Sequence, residues 1–265
     1  MKFFLLPIFL FSVLSFSQKK VFEFGKSEKI STPIEFSENS GYGFDFNSGS
    51  QLHFEKQGFV ADTSVYFSVK LPEGNYKINV VLGDKNPSET TIKAESRRLM
   101  LAQEKVGAYQ AKTFRFNVHL HHQEIGNTSA KVNLKPRELD DLDWDYKLTL
   151  EFLGHPAVQK ITITPVDDLT TLFLAGDSTV TNQDLEPWAS WGQFLPLYVN
   201  QNSVVANYAA SGASLSSFKA RKRLDKILSL LKKDDYLIIE FGHNDEKIKG
   251  EGNGAYGLYT DLLTQ

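Results

Sequence analysis

The pattern of the chain changes near residue 167, and this change limits the possible folds more than any other feature. Before it, short runs rich in β-branched and aromatic residues alternate with turn signals, as in residues 65–69, the turn 71–75 and the run 76–81. Many short strands at this spacing predict a β-sandwich over residues 18–168. Further strand candidates of the same kind are residues 90–94, 113–118, 147–152 and 160–164.

Beyond this point, continuous apolar runs alternate with a helical pattern. The runs 171–175, 203–207 and 236–241 are typical of strands buried on both faces. Between the last two, residues 215–231 predict an amphipathic helix, because apolar residues recur there at helical spacing. Strands and helices in alternation predict a parallel sheet with helices on its faces. We therefore place a second domain over residues 169–265.

The first 17 residues have the three-part layout of a secretory signal peptide. A positive start precedes an apolar run over residues 3–16, and Ser15 and Ser17 place small side chains before a cleavage site at Gln18. The run is too short to span a bilayer comfortably, although a membrane anchor or a buried strand is the alternative interpretation. Because the chain has no cysteine, a lipoprotein anchor is excluded. We expect a secreted or periplasmic protein with no membrane contact after cleavage.

The composition is that of ordinary globular domains. Hydrophobic residues make up 41% of the chain and charged residues 23%, which argues against disorder. The net charge of -3 gives no general attraction to nucleic acid, so we expect no nucleic-acid partner.

Three polar clusters follow the three apolar runs of the second domain. They are the segments Gly176-Asp177-Ser178-Thr179, Ser211-Gly212-Ala213-Ser214 and Gly242-His243-Asn244-Asp245. In a parallel α/β sheet, ligands bind at the carboxyl ends of the strands, which is where these clusters fall. Each cluster alone could be a turn or a helix cap, but three in order predict a site.

These segments resemble the SGNH (GDSL-type) hydrolases and, within them, the rhamnogalacturonan acetylesterases. The resemblance covers about residues 171–250 and also includes the segments Trp191-Gly192-Gln193 and Glu240-Phe241. The segments Phe22-Glu23-Phe24-Gly25 and Gly41-Tyr42-Gly43-Phe44 look like the start of a galactose-binding-like module. The resemblance thus implies a galactose-binding-like β-sandwich followed by part of a flavodoxin-like α/β/α SGNH domain.

The resemblance also implies a role for three residues in ester hydrolysis without a cofactor or metal. Ser178 is the implied nucleophile, and a serine hydroxyl needs a base to remove its proton as it attacks. The implied donors to the oxyanion are the backbone N–H groups of Ser178 and Gly212 and the side-chain amide of Asn244. A glycine at 212 would let the backbone approach the reacting centre.

The family's catalytic base lies in an Asp-x-x-His block, and no such block follows Ser178 in this sequence. His243 belongs to the third cluster and is a supporting residue in the family. The chain ends at Gln265, inside a predicted helix from Tyr256, so we interpret the sequence as C-terminally truncated and expect it to be inactive as an esterase by itself.

The resemblance favours a secreted esterase that removes acetyl groups from pectin, with acetylated rhamnogalacturonan as the plant polysaccharide substrate. An acetylxylan esterase or another small-acyl esterase of the same fold is one alternative. A carbohydrate-binding protein without catalysis, in which the β-domain does the binding, is another.

Three further groups of residues have a structural and a functional interpretation. His119, His121 and His122 could bind a metal, but a solvated strand face is the favoured interpretation. The basic run Lys219, Arg221, Lys222 and Arg223 is interpreted as a solvated helix face, with attraction of an anionic polymer such as pectin as the alternative. Trp188 and Trp191 could stack on sugars, although core packing is favoured.

Overall fold

The computed structural model describes residues 18–265, so the predicted signal peptide lies outside the described residues. The fold is mixed α/β, and strands predominate. The strands are β1 Lys20–Glu23, β2 Tyr42–Asp45, β3 His53–Phe54, β4 Phe59–Val60, β5 Val65–Lys70, β6 Gly74–Leu82, β7 Ser88–Ala94, β8 Arg98–Val106, β9 Lys112–Leu120, β10 Lys147–His155, β11 Ala157–Pro165, β12 Thr170–Gly176, β13 Ser203–Asn207 and β14 Tyr236–Glu240. The α-helices are α1 Trp191–Phe194, α2 Leu215–Ala220, α3 Arg223–Leu230 and α4 Leu258–Leu263.

Two antiparallel sheets enclose a common apolar core. One has the order β3-β4-β11-β6-β9, with β1 paired to β11, and the other has the order β2-β5-β10-β7-β8. Side chains of both sheets meet in a single buried cluster, in which Phe24, Phe44 and Phe67 pack edge to face or tilted against one another. All the strand candidates of residues 65–164 are confirmed as strands, and β8 is an additional one.

A third sheet is parallel, with the order β13-β12-β14. On one face of β12, Phe173 and Ala175 pack with Phe218 of α2 and Ile227 of α3, while Leu174 belongs to a separate cluster on the other face. The predicted burial on both faces is therefore confirmed for β12. It is also confirmed for β13, whose residues 204–207 are buried.

Strand β14 differs from this prediction. It pairs only with β12, and Ile238 and Ile239 are 39% and 49% exposed. Within residues 18–265, β14 is the edge of the parallel sheet, so the prediction of burial on both faces is wrong for this strand.

The single helix predicted over residues 215–231 is wrong in its continuity. It is two helices, α2 and α3, because Lys222 adopts a left-handed conformation with φ of +61° between them. Leu228, one of the apolar residues at helical spacing within residues 215–231, is 55% exposed. The helix predicted from Tyr256 begins at Leu258.

The antiparallel and parallel parts are joined by a shared core. Ile125, Val132, Leu134 and Trp144, which follow β9 in the chain, pack in the same cluster as Phe173 of β12. The segment 121–146, called here the bracing segment, thus covers one face of the parallel sheet although it lies within the predicted β-sandwich range. The predicted boundary between residues 168 and 169 stays a prediction.

Over residues 18–265, none of the helices combines the length and the apolar character needed to cross a membrane.

Candidate active site

The Ser178 loop leaves the carboxyl end of β12 in a tight turn. Gly176 is required by space, because a Cβ at this position would lie 2.5 Å from Cγ2 of Val180. The buried carboxylate of Asp177 accepts hydrogen bonds from the backbone N–H and the hydroxyl of Thr179, at 2.9 Å and 3.0 Å. These contacts hold the turn, and Ser178 is left half-buried at its tip.

The Gly212 loop follows β13 at the same edge of the sheet. Register pairs Leu174 of β12 with Asn207 of β13 and Gly176 of β12 with Glu240 of β14, so the carboxyl ends of the three strands lie side by side. Gly212 has a φ of +71°, a conformation that a residue with a Cβ adopts only with strain.

Space is not what selects glycine here. A Cβ on Gly212 would have the Nζ of Lys135 as its nearest neighbour, at 3.7 Å, which is ordinary van der Waals contact. Close approach to a bound substrate was the expected reason for a glycine at 212. The structure adds backbone conformation as a reason that holds without a substrate.

Asn244 connects the two loops. Its side-chain amide donates one hydrogen bond to Oδ2 of Asp177 and one to the carbonyl of Ala213, both at 3.1 Å. The three residues predicted for the site, Ser178, Gly212 and Asn244, are therefore brought to one edge of the parallel sheet. In the free protein, however, the amide of Asn244 is engaged in bracing the loops, and its role as an oxyanion donor stays a prediction.

The backbone N–H groups of Ser178 and Gly212 are unpaired within the described part of the chain. No acceptor among residues 18–265 takes a hydrogen bond from either group. Backbone N–H groups without a protein acceptor can stabilise negative charge that develops on a carbonyl oxygen bound near them. This arrangement suits acyl transfer.

Gln183 provides a second link between the loops. Its amide nitrogen donates to the carbonyl of Ser178 at 2.8 Å, and its amide oxygen accepts from the hydroxyl of Ser211 at 3.5 Å. The carbonyl of Ser211 accepts from two cations of the bracing segment, Lys135 at 2.5 Å and Arg137. Sequence reasoning missed these three residues, since none lies in a recognisable motif and two come from a segment more than 70 residues away.

His243 contacts residues of its own loop and makes no hydrogen bond to Ser178. Its ring contacts Nζ of Lys247 at 2.9 Å and a carboxylate oxygen of Glu246 at 3.6 Å, and the side chain is exposed. Asp245 instead accepts a hydrogen bond at 2.9 Å from the backbone N–H of Leu215, at the start of α2, and burial raises the pKa of its carboxyl. In residues 18–265, no histidine bonds to Ser178.

His119 near the end of β9, and His121 and His122 just after it, are not on a solvated face, so that interpretation is wrong. His119, His121 and His122 are all buried. His119 bonds through Nδ1 to Oδ1 of Asn75 at 2.7 Å and through Nε2 to the hydroxyl of Tyr208 at 3.0 Å. Burial lowers the pKa of His119 to about 3. In the described part of the chain, no three His, Cys, Asp or Glu side chains are grouped closely enough to hold a metal ion.

Two other structural interpretations are also wrong. Trp188 and Trp191 are 67% and 37% exposed, so neither is a core residue. The basic run is not a solvated face throughout, because Arg223 is fully buried and pairs with a carboxylate oxygen of Glu138 at 2.6 Å.

No family model matches the chain. The chain is similar to curated esterases and, more narrowly, to rhamnogalacturonan acetylesterases. Rhamnogalacturonan acetylesterase RhgT of Bacillus subtilis (strain 168) is 40% identical over 95 residues, 35% of this chain and 40% of RhgT. The uncharacterized esterase YxiM of the same organism is 28% identical over 236 residues, 83% of this chain and 56% of YxiM.

The rhamnogalacturonan acetylesterase of Emericella nidulans is 32% identical over 98 residues, 37% of this chain and 38% of that protein. The chain therefore spans between 38% and 56% of the length of these three relatives. The crystal structure of YxiM from Bacillus subtilis aligns with 86% of this chain and 65% of YxiM, at 22% identity and a TM-score of 0.37.

Proposed function

We propose that the chain carries the nucleophile and the oxyanion hole of a secreted SGNH-type serine esterase that removes acetyl groups from a pectic polysaccharide. The observation that supports it most is the pair of unengaged N–H groups of Ser178 and Gly212 at the carboxyl edge of a parallel sheet. Hydrogen bonds from Asn244 and Gln183 hold the two loops that carry these groups.

The proposed reaction begins when Oγ of Ser178 attacks the acetyl carbonyl carbon. The hydroxyl proton passes to a base, and the carbonyl oxygen becomes an oxyanion that the N–H groups of Ser178 and Gly212 stabilise. Collapse of this intermediate breaks the bond to the sugar oxygen, which leaves with a proton as a free hydroxyl. Water then hydrolyses the acetyl-serine and releases acetate.

The base is the one part of this reaction that residues 18–265 do not supply near Ser178. A serine hydrolase without its base keeps only the residual catalysis of its oxyanion hole and of substrate binding. We therefore expect the 265-residue chain alone to show no Ser178-dependent esterase activity above background. The same observation favours a second candidate, a carbohydrate-binding protein without turnover.

The proposed substrate rests on the relatives. Two of them are named rhamnogalacturonan acetylesterases, and the matched regions cover 35% and 37% of this chain. An acetyl ester on a rhamnogalacturonan chain is accordingly the proposed substrate, and the galactose-binding-like assignment of the antiparallel part belongs to the same proposal.

The test is acetate release from acetylated rhamnogalacturonan by the whole protein and by its Ser178→Ala variant, with acetylated xylan as the comparison polymer. The proposal expects release that depends on Ser178 and is faster from rhamnogalacturonan. Faster release from xylan would reassign the substrate. Glycan binding with no release from either polymer would favour the binding protein.

A further inference from the structure

Two cations of the bracing segment donate hydrogen bonds to one carbonyl beside the candidate active site. Nζ of Lys135 lies 2.5 Å from the carbonyl oxygen of Ser211, and the guanidinium of Arg137 donates to the same oxygen. Hydrogen bonds from charged donors are roughly twice as strong as those between neutral groups. The Ser211 carbonyl oxygen therefore lies in a strongly positive environment.

The peptide group that carries this carbonyl also carries the N–H of Gly212. That N–H has no acceptor within the described residues, and Gly212 is exposed, so the group is open to a ligand. The oxygen and the nitrogen of a peptide group share one conjugated electron system. Because the two cations draw electron density toward the oxygen, the nitrogen loses density and its N–H becomes a stronger donor.

The fold fixes both cations at this place. They flank Pro136 at the start of the 3-10 helix Pro136–Glu138, where the backbone N–H of Lys135 donates to Oε2 of Glu138 at 2.7 Å. Oε1 of the same carboxylate pairs with the buried Arg223 of α3 at 2.6 Å. This turn of the bracing segment is thus fastened to α3 by contacts that do not involve Ser211.

The half-buried ammonium group of Lys135 lies among other cations. Burial lowers its pKa, Glu138 opposes this, and Arg137 and Arg221 lower the pKa further. Glu138 is already paired with Arg223, and among residues 18–265 no carboxylate lies within ion-pair distance of Nζ of Lys135. A cation held near the Gly212 N–H, and not neutralised by a carboxylate, is suited to stabilising a negative charge that develops there.

We propose that Lys135 and Arg137 are positioning residues that act through the Ser211–Gly212 peptide and make the Gly212 N–H a stronger oxyanion donor. The inference rests on the proposed function for the oxyanion, whereas the polarised peptide rests on the geometry alone. The bracing segment thereby contributes to a site at the carboxyl edge of the parallel sheet.

The first test measures the acidity of the Gly212 N–H by NMR, in the 265-residue chain made with isotope-labelled glycine. In base-catalysed exchange, hydroxide removes the amide proton and water later returns one. The negative charge of the intermediate lies largely on the carbonyl oxygen of Ser211. Cations that contact this oxygen therefore make the exchange of the Gly212 proton with water faster.

Lys135→Gln keeps a hydrogen-bond donor and removes the charge. We expect it to slow exchange at Gly212 roughly tenfold, the difference between a charged and a neutral donor. Lys135→Arg should retain the fast exchange, and Arg137→Gln, at an exposed position, should slow it as Lys135→Gln does. Loosening of the loop leaves an N–H that is already free just as open to water, so a purely structural role predicts no slowing.

Gly126 is the internal control in the same spectra. It is also exposed, has a φ of +52°, and has an N–H without an acceptor in the described part of the chain. The carbonyl of its peptide, that of Ile125, accepts instead from two neutral donors, the backbone N–H and the hydroxyl of Thr128. Exchange at Gly126 should be the same in wild type and in all three variants.

The second test is hydrolysis of an acetate ester by the whole protein. We expect Lys135→Gln to lower kcat roughly three- to tenfold with little change in KM, because the oxyanion forms only during the reaction. Lys135→Arg should recover most of this loss. Lys131→Met is the control and should leave kcat unchanged, because Lys131 belongs to the same segment but pairs with Glu124 at 2.9 Å.

Exchange at Gly212 that is unchanged or faster in Lys135→Gln would overturn the inference. So would slower exchange with an unchanged kcat in a whole protein whose hydrolysis depends on Ser178. A whole protein without Ser178-dependent hydrolysis contradicts the proposed function, and the exchange rates then decide by themselves whether the cations polarise the peptide.

Discussion

Gly212 shows how one residue can be selected by backbone conformation. Its φ of +71° lies in the left-handed region. Its N–H, proposed for the oxyanion hole, belongs to the same peptide group as the carbonyl of Ser211. That carbonyl accepts hydrogen bonds from Lys135 and Arg137. An L-residue with a Cβ adopts this conformation at a cost of roughly 1–2 kcal/mol. The orientation of the N–H group is thus fixed from both sides before any substrate binds.

Asn244 gives the sharpest prediction for a single side chain. We expect Asn244→Ala to lower kcat of the whole protein by roughly 10²–10³-fold with little change in KM, the usual effect of losing one oxyanion donor. Loss of the bonds to Asp177 and Ala213 would contribute through displacement of the two loops.

Steady-state hydrolysis of an acetate ester measures this effect. The control is Asn253→Ala, whose side-chain amide donates to the carbonyl of Lys249 and to no other group among residues 18–265. An unchanged kcat in Asn244→Ala would remove this residue from the site.

The sequence was informative about Ser178, Gly212 and Asn244 because each follows an apolar strand, and the carboxyl ends of parallel strands meet at one edge. It was uninformative about Lys135 and Arg137. Their position depends on how the bracing segment folds back over the parallel sheet, and that contact has no local signal in the chain.

At the level of elements, α3 is held by buried ion pairs to the bracing segment and to the turn before β6. Arg223 pairs with Glu138 at 2.6 Å and also donates to the carbonyl of Tyr208 at 3.0 Å, while Lys226 pairs with Glu73 at 2.6 Å. Both cations are fully buried. The basic run looked solvated in the sequence because the acidic partners lie 85 and 153 residues away.

We expect Arg223→Met to lower the free energy of unfolding by about 3–5 kcal/mol, because Glu138 is left as an uncompensated buried charge. The double variant Arg223→Met/Glu138→Leu should recover much of this loss, since neither charge then remains. Denaturant unfolding measures both. Lys222→Met, at the exposed neighbouring position, is the control and should change stability by less than about 0.5 kcal/mol. An equal loss of stability in Arg223→Met and Lys222→Met would contradict the role of the buried ion pair.

His119 makes stability depend on pH. Burial, and then the charges of Arg98 and Lys226, lowers its pKa to about 3, well below the usual value of 6.5. Between about pH 6.5 and pH 3, His119 therefore binds a proton in the unfolded chain but stays neutral in the folded protein. The resulting stabilisation is fully present above about pH 6.5 and is lost as the pH falls toward 3.

We expect the free energy of unfolding to fall by about 2 kcal/mol through His119 between pH 6.5 and pH 5. The free energy of unfolding is measured for wild type and for His119→Asn at each pH. The difference between the two proteins cancels the contributions of the other titrating groups. If the free energy of unfolding had the same pH dependence in both proteins, His119 would not contribute to it.

At the scale of the whole molecule, residues from both sides of the predicted boundary pack in one buried core. The pattern change near residue 167 correctly separated antiparallel from parallel pairing, because period-2 alternation and continuous apolar runs report different burial of the strands. It did not show that residues 121–146 pack with β12 in one core.

Two strands mark the limit of pattern reasoning for the fold. Strand β8 has a single β-branched residue, Val106, among Leu, Met, Ala, Gln and Glu, and pairing with β7 makes it a strand. Strand β14 has the apolar run of a buried strand but lies at an edge among the described residues, since apolar composition does not say whether a neighbour is present.

The central claim is that Ser178 lies in a working oxyanion hole for which residues 18–265 supply no base. The measurement that tests it is p-nitrophenyl acetate hydrolysis by the 265-residue chain and by Ser178→Ala, without and with imidazole in solution as an external base. We predict equal, near-background rates without imidazole and a faster rate for the wild type once imidazole is present. Equal rates for the two proteins at every imidazole concentration would contradict the oxyanion site, and a Ser178-dependent rate without imidazole would contradict the missing base.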